Sequence, residues 1–196
     1  MKWYRKMRVK TTEEFRLAEE YSGEWNDSKR QGKGTHKEYG YDGKGEQYID
    51  QEYVGEWKND MMHGDGVMTT MVIPRRSDGY KGEWQEYGEM IYKGEWNFNR
   101  MEGYGKMKFD NGDEYDGMWE DGKMNHPKRA KGMGIMHYAN GDMARGYWEK
   151  DEMWDGEMHY ANGDKYEGVM KGGFRWNGTF TRADGITIEW EDGKEI

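Results

Sequence analysis

Residues 92–119 read YKGEWNFNRMEGYGKMKFDNGDEYDGMW. The stretch states one phrase, Tyr-x-Gly-x-Trp, at Tyr92-Gly94-Trp96 and again at Tyr115-Gly117-Trp119, with 23 residues from one tryptophan to the next. The named residues are two apart, so in a strand they share a face, whereas a helix would scatter them around its circumference. The glycine leaves a bare slot between two rings, which a ring from the adjoining strand can cover. Seven residues after Trp96 comes Gly103-x-Gly105, continued by Met107-x-Phe109, which reads as the returning strand of a hairpin. Asn111-Gly112 then supplies a tight turn, because both central residues accept positive φ.

The same phrase is complete at Tyr21-Gly23-Trp25, Tyr53-Gly55-Trp57 and Tyr80-Gly82-Trp84, and worn at Ala144-Gly146-Trp148 and Tyr166-Gly168-Met170. Paired glycines recur at Gly32/Gly34, Gly64/Gly66 and Gly132/Gly134, and turn dipeptides at Asp121-Gly122, Asn140-Gly141, Asn162-Gly163 and Asp184-Gly185. A recurring phrase of this strength points to a repeat architecture. Its constant residues are packing anchors, not reactive groups, so no enzyme is expected.

The combined pattern resembles the MORN repeat family over about residues 21–193. That resemblance implies an all-β fold, an elongated single-layer antiparallel β-meander of successive hairpins. About fourteen strands at roughly 4.8 Å each would give a body near 70 Å long. It also implies a non-catalytic interaction scaffold that docks a protein along an aromatic groove. Self-association through a sheet end would make a homodimer or a subunit of a larger assembly.

Two regions frame the array. Residues 1–20 form a basic cap. Positions 2–10 alternate, with Trp3, Met7 and Val9 on one side, as an edge strand would. Thr11-Thr12-Glu13-Glu14-Phe15 reads as a capped helix start, giving a short N-terminal helix to about Glu20. Residues 21–196 are the repeats, with irregular insertions at 35–52, 69–79 and 123–131 and a degenerate C-terminal cap. The irregular spacing locates these insertions: Trp25 to Trp57 is 32 residues, Trp84 to Trp96 only 12, and Trp119 to Trp148 is 29.

Composition narrows the function. Hydrophobic residues are 34% and charged residues 35%, which alone would suggest disorder, but regularly spaced aromatics at 15% supply a thin core. A net charge of −9 argues against nucleic acid, which needs a cationic face. There is no cysteine, hence no disulfide or thiolate metal site. No run approaches the ~18 apolar residues of a membrane span. Met1 to Lys6 is basic with no apolar run behind it, so no signal peptide is expected. The expected location is cytoplasmic or peripheral to a membrane.

The five histidines, His36, His63, His126, His137 and His159, lack metal-binding spacing, and the Asp110-Asn111-Gly112-Asp113 turns lack the ligand order of a calcium loop. No cofactor and no metal are expected. Two surfaces remain. Tyr53, Trp57, Tyr92, Trp96, Tyr115 and Trp119 line one face and would bind a peptide or helix partner. Arg75, Arg76, Lys123, Lys128, Arg129 and Lys131 gather where the repeat is broken and would contact an anionic partner, such as phospholipid headgroups.

Overall fold

The computed structural model describes residues 2–10, 15–41, 46–72 and 88–196. All regular structure among them is β. The chain divides into two compact units, residues 1–100 with 108–110, and residues 101–107 with 111–196.

In the first unit β1 (Lys2–Lys10), β2 (Phe15–Asn26), β3 (Lys29–Tyr41), β4 (Gln47–Lys58), β5 (Met61–Val72) and β6 (Gly88–Asn97) pair antiparallel in chain order. In the second, β7 (Arg100–Lys108) neighbours β8 (Glu114–Glu120). β8 is flanked by the short β9 (Lys123–Met124) and by β10 (Gly134–His137). The order then runs through β11 (Met143–Glu149), β12 (Glu152–His159), β13 (Lys165–Lys171), β14 (Phe174–Thr181), β15 (Thr187–Glu191) and β16 (Lys194–Glu195). The all-β meander of hairpins is therefore as expected.

The N-terminal helix is not. Residues 15–20 belong to β2, and the capping residues 11–14 lie outside the described residues. Phe15, Leu17 and Glu19 face Lys10, Arg8 and Met7 of β1, while Glu19 and Glu20 face Glu38 and Lys37 of β3. Glu20 is held from both sides, by Lys6 at 3.8 Å and by the Tyr39 hydroxyl, which donates to it at 2.7 Å. Pairing on two edges overrides the local helix preference of Leu-Ala-Glu-Glu.

The described residues of segment 35–52 belong to β3 and β4 apart from Glu46. Its extra residues lengthen a hairpin: β3 and β4 pair from Gly32↔Trp57 out to Tyr41↔Gln47, with one register shift at Glu38/Tyr39. Residues 69–72 extend β5, and 73–79 lie outside the described residues, as does the copy Tyr80-Gly82-Trp84. Segment 123–131 opens with β9 and leads towards β10, and both strands pair with β8.

A row of glycines crosses each unit. In the first it runs Gly23↔Gly34↔Gly55↔Gly66↔Gly94; in the second, Gly134↔Gly146↔Gly156↔Gly168↔Gly178. Tyrosine rings lie in the slots. A Cβ added to Gly55 would meet the Tyr53 hydroxyl at 2.5 Å, and one on Gly134 the Tyr115 hydroxyl at 2.5 Å. Where the phrase lacks its tyrosine, at Ala144, the sulfur of Met153 fills in, 2.8 Å from a Cβ on Gly146. The returning strand also carries a bulge, seen as a register shift between Gly55 and Glu56, and Gly64 takes φ 61° there.

The hairpin turns are fastened to one another. The Asp113, Asp142 and Asp164 carboxylates accept the backbone N–H of Ala139, Ala161 and Ala183 of the following turn at 2.7–2.8 Å. This explains why Asn-Gly-Asp recurs: the acid is a clasp between hairpins.

Candidate functional site

The aromatic ladder is built repeat by repeat. Tyr21 meets its own Trp25 at 5.1 Å and the next repeat's Trp57 at 5.4 Å, both edge to face. Tyr53 does the same with Trp57 and Trp96, at 5.1 and 5.5 Å, and Tyr92 packs on Trp96 at 5.1 Å. In the second unit Tyr115 lies between Trp119 and Trp148, at 5.4 and 5.3 Å. Edge-to-face pairs place the positive ring edge on the negative face of its neighbour.

The ladder also satisfies its own polar atoms. Each phenol donates to the carbonyl three residues on, as Tyr53 to Glu56 at 3.0 Å and Tyr166 to Val169 at 2.8 Å. The indole N–H groups of Trp57, Trp96, Trp119 and Trp148 donate to the carbonyls of Gly34, Gly66, Gly105 and Gly134, at 3.1–3.3 Å. Burial pushes the Tyr21 phenol up to about 12 and shifts Tyr53 and Tyr115 the same way, so each stays a donor.

Tyr53, Trp57, Tyr92, Trp96, Tyr115 and Trp119, the six rings expected to line a docking groove, are all buried, none more than 7% exposed. Within each unit they form part of the core. Aromatic rings pack against bare glycine backbone so closely that little of them faces solvent.

Of the cationic candidates, Arg75 and Arg76 lie outside the described residues. Lys123 in β9 and Lys128, Arg129 and Lys131 between β9 and β10 are exposed. Lys123 and Arg129 share an open cleft of about 580 Å³ with Glu120, Asp121 and Glu149, so the surface is of mixed charge. Lys128 is paired with Asp155 at 2.5 Å. The interruption is anchored by a buried histidine: His126 is 1% exposed, and its Nδ1 accepts the Met118 N–H at 3.2 Å. Tyr104 packs edge-on against His126 at 5.9 Å, and its hydroxyl donates to the Lys131 carbonyl at 3.0 Å.

Burial holds the His126 pKa below its ordinary value, against the raising effect of the Lys131 carbonyl. The unfolded chain protonates near the ordinary histidine value of about 6.5 and the folded chain only below it. Between those two values the unfolded state binds more protons, so stability rises with pH. The contribution is complete above about 6.5 and is lost as the pH falls through the window. Urea midpoints from pH 7.5 to 5 should drop more steeply for the native chain than for His126→Gln. Identical slopes would refute the assignment.

One cluster has metal-like composition: a ligand atom each from Glu19, His36 and Glu38 lies within 4.8 Å of the others. His36 Nε2 faces the Glu19 carboxylate at 3.2 Å and its ring packs on Trp57, so two of the three groups already partner each other at the margin of the core. Among the described residues no helix is long and apolar enough to cross a membrane.

The face opposite the ladder is the part that sequence reasoning missed. In the first unit, residues between the phrase positions form a cross-strand row, Ser22↔Thr35↔Val54↔Val67, small and uncharged, with Val54 47% exposed. Charged rows bound it on both sides, Glu20/Lys37/Glu52 and Glu24/Lys33/Glu56/Asp65/Glu95. The available signal was Val54 at the first x of Tyr-x-Gly-x-Trp, where most copies carry charge.

Five segments, residues 21–37, 53–70, 92–114, 115–125 and 129–143, match the MORN repeat. No curated protein matches the chain.

Proposed function

Residues 21–143 belong to the MORN repeat family, a non-enzymatic module associated with protein and membrane-lipid interaction, and on that premise we propose that this chain is a non-catalytic scaffold for a protein partner. The partner lies on the face opposite the aromatic ladder. The observation that carries this reading is the uncharged strip Ser22–Thr35–Val54–Val67 on the open face of a sheet whose other face is filled by its own rings. A strip about one residue wide between charged rows suits an extended peptide or one helix with a narrow apolar edge. The bounding row Glu24, Lys33, Glu56, Asp65 and Glu95 holds four acids to one base, which favours a partner with basic flanks.

Affinity capture with Val54→Glu tests it. This substitution alters an exposed side chain and leaves the ladder intact, so the variant should keep its urea midpoint and lose the captured partner. Retention of every partner by the folded variant would refute docking on this face. A membrane role through Lys123, Lys128, Arg129 and Lys131 draws less support, because Lys123, Lys128 and Arg129 stand among Glu120, Asp121, Glu149 and Asp155. Flotation of the chain with anionic vesicles, lost on changing those four cations to Glu, would reverse that preference.

A further inference from the structure

The second unit carries two aromatic residues on the face opposite the ladder. Tyr147 precedes the ladder residue Trp148 and points the other way. Across the strands Tyr147 pairs with Asp155 and Trp148 with Met153, so Trp154 is the extra residue of a bulge. The bulge sets Trp154 beside Tyr147, with ring centroids 6.1 Å apart. Bulges commonly re-aim a side chain in this way. The fourth member is Lys128, from the interruption. Its Nζ lies 4.8 Å from the Trp154 ring centre and 5.5 Å from that of Tyr147, and 2.5 Å from Asp155 Oδ2.

Two ring faces and a carboxylate around an ammonium are the parts of a cation cage. We propose that Tyr147, Trp154 and Asp155 form a binding site for a primary alkylammonium, the lysine side chain of a docked partner, and that Lys128 fills this site in the free chain. Asp155 selects the ligand: a primary ammonium donates a hydrogen bond to the carboxylate, whereas a quaternary ammonium has no N–H to give.

Lys128 suits the part of a displaceable occupant. Its side chain is 55% exposed, and an exposed ion pair is weakly held. The segment that carries it is secured elsewhere, by buried His126, by the Ala130 N–H to the Pro127 carbonyl at 2.9 Å, and by Tyr104 on the Lys131 carbonyl. The ammonium can therefore leave without its backbone moving. The open cleft lined by Pro127, Arg129 and Trp154 adjoins the site and gives a partner segment room to approach.

The source of the lysine rests on the docking role proposed above, but binding of a small ammonium does not, so the two can fail separately. The test titrates n-butylammonium into the native chain, Lys128→Ala and Lys128→Ala/Asp155→Asn, following the Trp154 indole N–H resonance, assigned through Trp154→Phe. If Lys128 fills the site nine-tenths of the time, its removal should tighten apparent binding about tenfold. Asp155→Asn should return most of that gain, and tetramethylammonium should bind more weakly than n-butylammonium. Lys128→Gln, which keeps part of the stem and drops the charge, replaces Lys128→Ala if the latter loses its native circular dichroism.

An emptied site that responds no better than the native one would make Lys128 a clasp for its loop and overturn the proposal. So would equal binding of tetramethylammonium, or flotation with phosphatidylcholine vesicles in the absence of any response to n-butylammonium.

Discussion

Tyr53→Ala is expected to cost about 3–5 kcal/mol of folding stability, read as a lower urea midpoint. The ring is 1% exposed and sits edge to face with Trp57 and Trp96, so it joins two successive copies of the phrase. It also covers the backbone of Gly55 and Gly66, which have no side chain to close over the gap. Because these glycines cannot repack, the cavity persists, and the cost belongs at the upper end of the range for large-to-small changes. Tyr53→Phe keeps the ring and loses only the hydroxyl that donates to Glu56, so about 1 kcal/mol is expected. A Tyr53→Ala loss below that of Tyr53→Phe would show that the ladder is not what holds the sheet.

The reciprocal change fills a slot. Gly156→Ala adds one methyl group, yet about 3–5 kcal/mol of destabilisation is expected from overpacking and backbone strain together. The added Cβ would meet Gly146 Cα at 2.5 Å and the Arg145 carbonyl closer still, and both are backbone atoms of the paired strand. Gly156 also takes φ 155°, where an L side chain is strained. Gly132→Ala is the control. That glycine has positive φ as well, 84°, but nothing lies within 4 Å of its added Cβ, so only about 1 kcal/mol should be lost. Equal losses at the two sites, measured by thermal unfolding, would remove close strand approach as the explanation.

Both expectations were half legible in the chain. Tyr-x-Gly-x-Trp places ring, gap and ring on one face, and the paired glycines seven residues later mark the returning strand. The register Gly55↔Gly66↔Gly94, which turns separate gaps into a continuous row, depends on a bulge whose position is set by pairing between strands. The helix expected at residues 11–20 failed for the same reason. Local signals describe what a segment prefers alone, whereas residues 15–20 lie in a strand paired with β1, and Glu19 and Glu20 are paired with β3 as well. The extra residues of 35–52 likewise became a longer hairpin once both strands were seen to pair.

The candidate sites show the limit more sharply. Trp57 and Trp96 were legible as packing anchors but not as fully buried: a single sheet suggested that some rings stay accessible, and the depth to which they sink depends on how closely glycine lets the backbone approach. The cationic run at Lys123 to Lys131 was legible as a break in the repeat. That His126 turns inward while Lys128 reaches the rings of Tyr147 and Trp154 was not, since these partners are 8 to 26 residues away in sequence.

The sequence by itself determined the all-β class, the hairpin unit, the family and the face each phrase residue shares, because all of these follow from two-residue alternation and local turn chemistry. Only the tertiary structure decided which rings are core, which face stays open and which lysine sits in an aromatic cage. Those depend on strand register and bulges, and register is settled by contacts between residues that the chain keeps far apart.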